Sequence, residues 1–320
     1  MSDGSKIRVL AVVGPTASGK SALAVALAKR LGGEIVSCDS MQVYRRMNIG
    51  TAKPTVEERE GIAHHMIDVA EPHEPFSCAD YVSMAQRVIA EIASRGALPI
   101  LCGGTGLYLD SLLRGGFAET RIDPAVRERL LAIAAEEGSA ALHRRLAEVD
   151  PESAAAIHEN NVKRVIRALE IYEGTGMTKT EADRLTQAWE SPYDATVIGL
   201  CYPDRALLHA RINERVDRML ADGLLAETRA LLAEGVFDEN HTAAQAIGYK
   251  ELLACLGGEQ SEAEAAEQLK TATRRYAKRQ MTWFGAKDYV RWIEAAREGR
   301  VRALDELCDE AVAIWQSDTD

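Results

Sequence analysis

An eight-residue segment near the start of the chain, Gly14–Ser21 with the sequence GPTASGKS, constrains the fold more than any other feature. It matches the phosphate-binding pattern GxxxxGK[ST] in full. The apolar run Ile7–Val13 before it predicts a buried strand, and the alanine- and leucine-rich stretch Ala22–Leu31 after it predicts a helix. In that context backbone N–H groups point at phosphate oxygens beside the positive end of the helix. The segment predicts a site for a di- or polyphosphate and Mg²⁺, and leaves open whether ATP binds.

Each part of this segment, called the phosphate loop below, has an expected role in binding. The Lys20 ammonium supplies a point charge for the terminal phosphate, and the Ser21 hydroxyl is the expected protein ligand of Mg²⁺. The residues expected to hold the ligand are Gly14, Pro15, Thr16, Ala17, Ser18, Gly19, Lys20 and Ser21.

Strands and helices alternate along the first part of the chain. Glu34–Ser37 and Ala97–Cys102 are predicted strands, and Ala79–Ser94 between them has a helical pattern. Such alternation indicates parallel βαβ units. Another strand is predicted at Ala195–Cys201, after a long stretch, residues 115–192, that contains no convincing strand. Helical patterns within that stretch cover Pro124–Glu137, Ser139–Val149 and Asn161–Glu173.

The predicted fold class is therefore α/β, a P-loop NTPase-like parallel sheet flanked by helices, with an all-helical insertion domain. Residues 1–114 and 193–320 are expected to form the P-loop catalytic core with a helical C-terminal part, and residues 115–192 the insertion. The predicted elements of the C-terminal part are helices through Leu207–Leu232, Gln245–Leu256 and Ser261–Phe284, and a strand at Lys287–Ile293.

Composition narrows the class of protein. Hydrophobic residues are 47% and charged residues 27%, as in ordinary globular chains. The net charge of −11 taken alone disfavours nucleic-acid binding, although phosphate contacts depend on local basic faces. The apolar runs are too short to span a membrane, and the polar start Met1–Ser5 does not resemble a secretory signal. Six singly spaced cysteines indicate reduced thiols, so we expect a cytoplasmic protein.

Two further segments are expected at the ligand crevice, because the carboxyl ends of parallel strands line it. Asp39 follows the second predicted strand in the sequence DSMQVYR, so its carboxylate could bind Mg²⁺, act as a general base, or cap a turn. Thr105, in GGTGLY, follows the strand Ala97–Cys102 and lies on the same rim, unless the segment is a plain turn. The pair His64–His65 matches no standard metal spacing and is expected to be structural.

The motifs GPTASGKS, DSMQVYRRMNIGTAKP, HHMID and GGTGLYLDSLL, in this order and spacing, resemble the tRNA dimethylallyltransferase family, the bacterial tRNA isopentenyltransferases or IPP transferases. The resemblance extends over nearly the whole chain, including QAIGYK at Gln245–Lys250 and KRQMTW at Lys278–Trp283. Eukaryotic members carry a C-terminal zinc finger. This chain has Cys308 and no histidine after His241, so it resembles the shorter bacterial form.

The resemblance implies transfer of the dimethylallyl group of dimethylallyl diphosphate to N6 of adenosine 37, beside the anticodon of tRNA. The phosphate loop and Mg²⁺ would then hold the donor's diphosphate, the leaving group. Asp39 matches the family's proposed base, with Thr16 and Lys20 as the other catalytic residues. The implied partners are the tRNA anticodon stem-loop and dimethylallyl diphosphate, with no membrane, and the expected state is a monomer.

The resemblance also implies which residues contact tRNA. They are Asp39, Ser40, Met41, Gln42, Thr105, Arg127, Lys163, Arg164, Val165, Ile166, Arg167, Gln245, Gly248, Tyr249, Lys250, Lys278 and Arg279. Lys163 and Arg167 are four residues apart and could form a basic helix edge with Arg164, although a solvated face paired with Glu159 and Glu170 is the alternative.

Other basic residues leave their ligand open. Residues 270–300 contain nine basic and three acidic residues, which indicates a phosphate-binding strip. Arg211 and Arg215 could reach the diphosphate or the RNA, and Trp283 and Tyr249 could stack on bases or pack in the core. Two other functions remain open at this stage: a P-loop kinase of a nucleotide or small metabolite, and a nucleotide-switched binding module.

Overall fold

A computed structural model describes residues 6–113, 122–188 and 190–318. Its central sheet consists of strands β1 (Ile7–Val13), β2 (Gly33–Ser37), β3 (His64–His65), β4 (Leu98–Gly103), β5 (Tyr193–Cys201) and β6 (Val290–Glu294). All neighbouring strands are parallel, and their spatial order is β3–β2–β4–β1–β5–β6. A separate antiparallel pair joins β7 (Ala296–Arg297) and β8 (Arg300–Val301). The predicted parallel α/β sheet is confirmed.

Helices connect and cover these strands. In chain order they are α1 (Lys20–Leu31), α2 (Val56–Arg59), α3 (Cys78–Ser94), α4 (Gly106–Leu113), α5 (Pro124–Glu137), α6 (Ser139–Val149), α7 (Pro151–Ala156), α8 (Val162–Thr175), α9 (Lys179–Ala188), α10 (Arg205–Ala221), α11 (Leu224–Ala233), α12 (Val236–Glu239), α13 (His241–Ala244), α14 (Tyr249–Leu256), α15 (Glu262–Gly285) and α16 (Leu304–Ser317).

The strand β1 is buried on both faces, as expected for a central parallel strand. On one face, Leu10 and Val12 belong to a core formed with α1 and α16. On the other face, Val9, Ala11 and Val13 belong to a core formed with α3 and α4. The continuous apolar sequence of Ile7–Val13 follows from this double burial, and the strand has the predicted bounds.

The strand register brings three loops to the same edge of the sheet. Val13, the last residue of β1, lies opposite Gly103 of β4, and Ser37, the last residue of β2, lies opposite Cys102. The phosphate loop, the segment that begins at Cys38 and the segment that begins at Gly104 therefore leave neighbouring strands side by side.

The C-terminal helices differ from the prediction in two places. The sequence pattern predicts a helical stretch through Leu207–Leu232, but the helix ends at Ala221 and a second one begins after Gly223. The pattern also predicts a helix from Gln245, but it begins only at Tyr249. In both places a glycine with positive φ precedes the new helix, and local hydrophobic periodicity does not reveal this change of direction.

The chain divides into two compact units, Met1–Leu113 with Pro192–Asp320, and Arg114–Ser191. The second unit is helical and has its own core. The buried residues of this core are Leu130, Leu142, Leu146, Ala154, Ile157, Val165, Ile166, Ala168 and Leu169. The domain boundary predicted at residues 114 and 115 lies outside the described residues, as does the polar start Met1–Ser5. Within the described ranges, no helix is both long and apolar enough to cross a membrane.

The two adjacent histidines have structural roles, as expected. His64 Nδ1 lies 2.9 Å from the carbonyl oxygen of Ile62. His65 Nε2 lies 2.7 Å from Glu34 Oε2, which also accepts a hydrogen bond of 2.6 Å from Arg95. This carboxylate therefore ties β2 to the edge strand β3 and to the end of α3. The hydrogen bond from Arg95 and the contact with His65 lower the pKa of Glu34 to about 2, although burial opposes them.

We predict that Glu34→Gln destabilises the fold in a pH-dependent way. A carboxylate with a lowered pKa stabilises the native state above its unfolded pKa, and that stabilisation is lost as the pH falls towards the folded value. We expect the free energy of unfolding to fall by about 1–2 kcal/mol at pH 7, because Arg95 is partly exposed and screened. Urea unfolding measures the difference between variant and wild type, which should shrink between pH 5 and pH 3. Glu136→Gln, at an exposed site, is the control, and an unchanged difference at pH 3 would contradict the prediction.

Candidate active site

The phosphate loop curls at the end of β1. Gly14 has φ +142°, and a Cβ there would lie only 2.8 Å from the carbonyl oxygen of Leu200. The Ser18 N–H donates 3.2 Å to the carbonyl oxygen of Pro15, which closes the turn before α1 begins at Lys20. A side chain at position 14 would both strain the backbone and collide with β5, which is why glycine is required there.

A cleft opens between the phosphate loop and α10. Its lining residues are Ala17, Ser18, Gly19, Lys20, Ser21, Ala22, Arg211, Glu214, Arg215 and Arg218. The three arginines are spaced by four and three residues, so they share one face of the helix. Arg211 Nε donates 2.9 Å to the carbonyl oxygen of Ala17, which joins α10 to the loop. The cleft is rich in cations and suits an anionic ligand.

Three of the cations in this cleft, Lys20, Arg211 and Arg215, are half-buried, whereas Arg218 is exposed. Burial lowers the pKa of Lys20, although the nearby Cys102 and Asp39 act in the opposite direction. Burial also lowers the pKa of Arg215, against the opposing charge of Asp39. The buried Ser18 hydroxyl has no hydrogen-bond partner in the described part of the chain. Desolvated cations and an unpaired hydroxyl match what a phosphate group would bind.

Asp39 lies close enough to the phosphate loop for its charge to act on Lys20 and Arg215. Its Oδ1 accepts the N–H groups of Met41 at 2.9 Å and Gln42 at 3.3 Å, so this oxygen caps a turn. Among residues 6–113, 122–188 and 190–318, no hydrogen bond reaches its Oδ2. The capping role and a chemical role are therefore compatible, since they use different oxygens.

Thr105 connects the loops after β2 and β4. Its Oγ1 accepts the Ser40 N–H at 3.1 Å, and its own N–H donates 3.2 Å to the carbonyl oxygen of Cys38. Gln42 is held in a similar way, because its Oε1 accepts from Ser37 Oγ at 3.0 Å and its Nε2 donates to the carbonyl oxygens of residues 51 and 52. Both side chains hold Asp39 and its neighbours in place.

Two of the residues predicted to contact tRNA are instead part of the core around Glu227. Tyr249 is 0% exposed, and its hydroxyl donates 2.7 Å to Glu227 Oε1. Glu227 also accepts the N–H groups of residues 48–50, and the Tyr249 ring packs against Gly50. Gly248 is buried as well, whereas Gln245 and Lys250 are exposed. Of the two alternatives for Tyr249, packing in the core therefore applies, because its ring has no exposed face.

The helical insertion separates its predicted tRNA contacts into two groups. Val165 and Ile166 are 0% and 2% exposed, so the prediction that they contact tRNA is wrong: their side chains fill the core of this unit. Lys163 and Arg164 are exposed. The carboxylate of the buried Glu170 forms ion pairs with two other predicted tRNA contacts, Arg127 at 2.9 Å and Arg167 at 3.4 Å. Of the basic helix edge formed by Lys163, Arg164 and Arg167, the alternative of pairing with an acidic residue thus applies to Arg167.

The basic residues of 270–300 do not form one continuous strip. Four of them are paired with carboxylates, at 2.8 Å for Lys270 and Asp217, 2.7 Å for Lys287 and Asp110, 3.3 Å for Arg291 and Asp318, and 3.5 Å for Arg297 and Glu294. The exposed cations on α15 are Arg275, Lys278 and Arg279. Trp283, on the same helix, is 38% exposed and packs against Gly106. The charge balance in the sequence could not show which cations are neutralised by distant partners.

Sequence reasoning missed two polar residues of α15, Tyr276 and Gln280. The Gln280 side chain is buried, with hydrogen bonds to Thr16 and Gly104. Burial and the nearby charge of Asp39 raise the pKa of Tyr276, whose neighbours include Thr105 and Gln280. A signal existed in the sequence: Gln280 is the polar member of a helical stripe that is otherwise apolar, with Leu269, Ala277 and Phe284.

Comparison with known proteins gives consistent results. The chain matches the family model for IPP transferase over residues 42–287. A tRNA dimethylallyltransferase of Bacillus velezensis is 53% identical over 287 residues, covering 89% of this chain and 90% of that protein. The crystal structure of a full-length tRNA isopentenylpyrophosphate transferase from Bacillus halodurans has a TM-score of 0.71 at 43% identity, with 98% of both chains covered. A eukaryotic dimethylallyltransferase, captured in crystallographic snapshots acting on tRNA, has a TM-score of 0.77 at 30% identity over 91% of this chain and 74% of that one.

We predict that Lys20→Ala weakens the binding of inorganic diphosphate in the presence of Mg²⁺ by about 10-fold or more, because the variant lacks a charge-assisted interaction in a desolvated cleft. Titration calorimetry measures the affinity. Lys29→Ala, on the same helix but paired with Glu60 at the surface, is the matched control. Equal affinities of the two variants would contradict the assignment of the cleft as an anion site.

Proposed function

The chain belongs to the IPP transferase family, and we propose that it is a tRNA dimethylallyltransferase, which transfers the dimethylallyl group of dimethylallyl diphosphate to N6 of adenosine 37 of tRNA. The observation that carries this proposal is the arrangement of a carboxylate, Asp39, beside a cleft lined by Lys20 and the arginines of α10. The reaction needs both a site for a diphosphate leaving group and a base for the amine that attacks.

The proposed transfer forms one bond, breaks one bond and releases one proton. A bond forms between N6 of the adenine and the first carbon of the donor, the bond from that carbon to oxygen breaks, and diphosphate leaves with the electron pair. The attacking amine becomes cationic and must lose a proton. An adenine amine is a weak nucleophile because its lone pair is delocalised into the ring, so a positioned base is needed. We assign this proton to Asp39 Oδ2, since Oδ1 accepts two backbone N–H groups.

The phosphate loop and α10 are assigned to the donor's diphosphate. Lys20, Arg211 and Arg215 would stabilise the charge that develops as the carbon–oxygen bond breaks. The Thr16 side chain and the backbone N–H groups of the loop other than those of Thr16 and Ser18, which have protein partners, would complete the cradle. The buried Ser18 hydroxyl and the cations of the cleft support this assignment, because each is better matched by an anion than by the groups around it.

We propose Mg²⁺ as the cofactor. Mg²⁺ prefers oxygen ligands and is often bound by few protein groups together with substrate phosphates. The Ser21 hydroxyl, in the first turn of α1 next to Lys20, fits such a site. An ion held there would help to neutralise the negative charge of the diphosphate leaving group.

The target adenine must leave the anticodon stack to reach Asp39. We propose that Asp39, Ser40 and Thr105 border it, and that RNA phosphates meet exposed cations such as Lys163 and Arg164. We retain Met41, Gln42, Arg127, Arg167, Gln245, Lys250, Lys278 and Arg279 as proposed tRNA contacts. The chain is proposed to act as a monomer in the cytoplasm.

The test is incubation of the protein with dimethylallyl diphosphate, Mg²⁺ and unmodified tRNA, followed by nucleoside mass spectrometry. The expected product is N6-(dimethylallyl)adenosine at position 37. ADP formation from ATP with a panel of small metabolites, without any modified nucleoside, would contradict the proposal and favour a kinase.

We predict that Asp39→Asn lowers the single-turnover rate by about 100-fold or more, because the amide keeps the Oδ1 acceptor of the turn but removes the basicity. The affinity for tRNA, measured in parallel by filter binding, should change little, since phosphate contacts lie elsewhere. Recovery of the rate at high Mg²⁺ would instead make Asp39 a metal ligand. An unchanged rate would remove it from the chemistry.

We predict that replacing Lys163 and Arg164 together by alanine weakens tRNA binding and reduces the slope of log affinity against log salt by about one for each RNA phosphate that the variant no longer binds. The affinity for dimethylallyl diphosphate in the absence of RNA should be unchanged. The control variant replaces Arg145 and Arg184 by alanine. Both belong to the same unit and form surface ion pairs, with Glu137 and Glu152 respectively. If both double variants have the same salt slope, Lys163 and Arg164 belong to a solvated helix face and do not bind RNA phosphates.

A further inference from the structure

We propose that Gln280 is a positioning residue that holds the donor-binding loop and the acceptor-binding loop of the active site in register. The inference rests on the proposed function and adds to it a residue that touches neither reacting atom. Its basis is a buried side-chain amide that bridges two loops following neighbouring strands.

The geometry of the bridge uses both ends of the amide. Gln280 is 5% exposed, its Oε1 accepts the Thr16 N–H at 2.8 Å, and its Nε2 donates 3.0 Å to the carbonyl oxygen of Gly104. A Cβ at position 104 would lie 1.9 Å from Nε2, so the bridge requires glycine there. Only one orientation of the amide satisfies both partners, and the contact is therefore directional.

The two bridged loops serve different substrates under the proposed function. Thr16 belongs to the phosphate loop, which is assigned to the donor. Gly104 precedes Thr105, whose hydroxyl accepts the Ser40 N–H next to Asp39, the base proposed for the acceptor. A change in the distance between Thr16 and Gly104 would thus move the donor carbon relative to the adenine N6.

The bridge also determines how Thr16 can act. Its N–H is already used by Gln280, so Thr16 is left to contact the donor through its side chain. No other side chain of this length offers a donor and an acceptor on one planar group at every pH, because a glutamate can donate only when it is protonated. The chemistry is sensitive to such placement, because a displacement of about 1 Å between reacting groups can cost about 100-fold in rate.

The experiment compares Gln280→Met and Gln280→Glu with the wild-type enzyme. Gln280→Met keeps the length but removes both hydrogen bonds. We expect the single-turnover rate to fall by about 10- to 100-fold, while the affinities for inorganic diphosphate and for tRNA stay within about threefold. A residue needed only for binding or folding would change affinity and rate together.

Gln280→Glu supplies a readout that a general structural role would not move. An ionised glutamate repels the Gly104 carbonyl, whereas a protonated one accepts from Thr16 and donates to Gly104 like the amide. Burial raises the pKa of such a carboxyl group. The rate of Gln280→Glu relative to the wild type should therefore increase by about fivefold or more as the pH falls from 8 to 5.5, and the ratio for Gln280→Met should stay constant.

Other titratable groups near the bridge are shared by all three proteins. Tyr276 lies beside Gln280, and the charges of Asp39 and Arg279 act on it. Taking the ratio to the wild type at each pH removes their common contribution. Gln268→Glu and Gln268→Met, at an exposed glutamine of the same helix, are the matched controls and should keep the wild-type rate at every pH.

The outcomes separate the inference from the proposed function. If the wild type is active, two results for Gln280→Met overturn the inference but leave the proposed function standing. One is a rate within twofold of the wild type, and the other is a rate and an affinity that fall in proportion. If Gln280→Met does not fold, as judged by circular dichroism, a pH-independent ratio for Gln280→Glu overturns it. A wild-type chain that forms no modified nucleoside contradicts the proposed function, and this inference with it.

Discussion

The active site depends on the parallel register of three neighbouring strands. β2, β4 and β1 lie side by side, and the loops that follow them carry Asp39, Thr105 and the phosphate loop. Because parallel strands end at one edge of the sheet, short loops far apart in sequence meet there. The hydrogen bonds of Thr105 and Gln280 then join these loops in pairs. The site is therefore assembled by backbone register first and refined by buried amide and hydroxyl groups.

Local charge, and not net charge, describes what this protein can bind. The chain carries −11 overall, yet the cleft beside the phosphate loop contains four cations and one carboxylate. Burial lowers the pKa of Lys20 and of Arg215, so an anionic ligand would compensate the desolvation that these groups experience. Elsewhere the opposite occurs, since Lys270 and Lys287 are neutralised by carboxylates that the sequence does not place near them.

Much of the fold could be predicted because it depends on local patterns. A continuous apolar run before a glycine-rich loop is sufficient to place β1, and α5, which begins at Pro124 and is capped at its C-terminus by Gly138, has the predicted bounds. The errors have two causes. First, the chain changes direction at Gly223 and Gly248, and the hydrophobic pattern of the sequence does not change at these positions. Second, residues such as Val165 and Tyr249 occur within motifs of the family, but their place in a motif does not tell whether the side chain faces solvent or the core.

By itself the sequence determined the phosphate loop, its flanking strand and helix, the parallel α/β class and the family, because each depends on residues that are close together or on motifs in a fixed order. Only the tertiary structure decided which polar groups meet. Gln280 lies 264 positions from Thr16, and Glu227 lies 177 positions from Gly50, whose N–H it accepts. These partners are brought together by strand order and helix packing, and a hydrogen bond forms only between groups about 3 Å apart in space, whatever their separation along the chain.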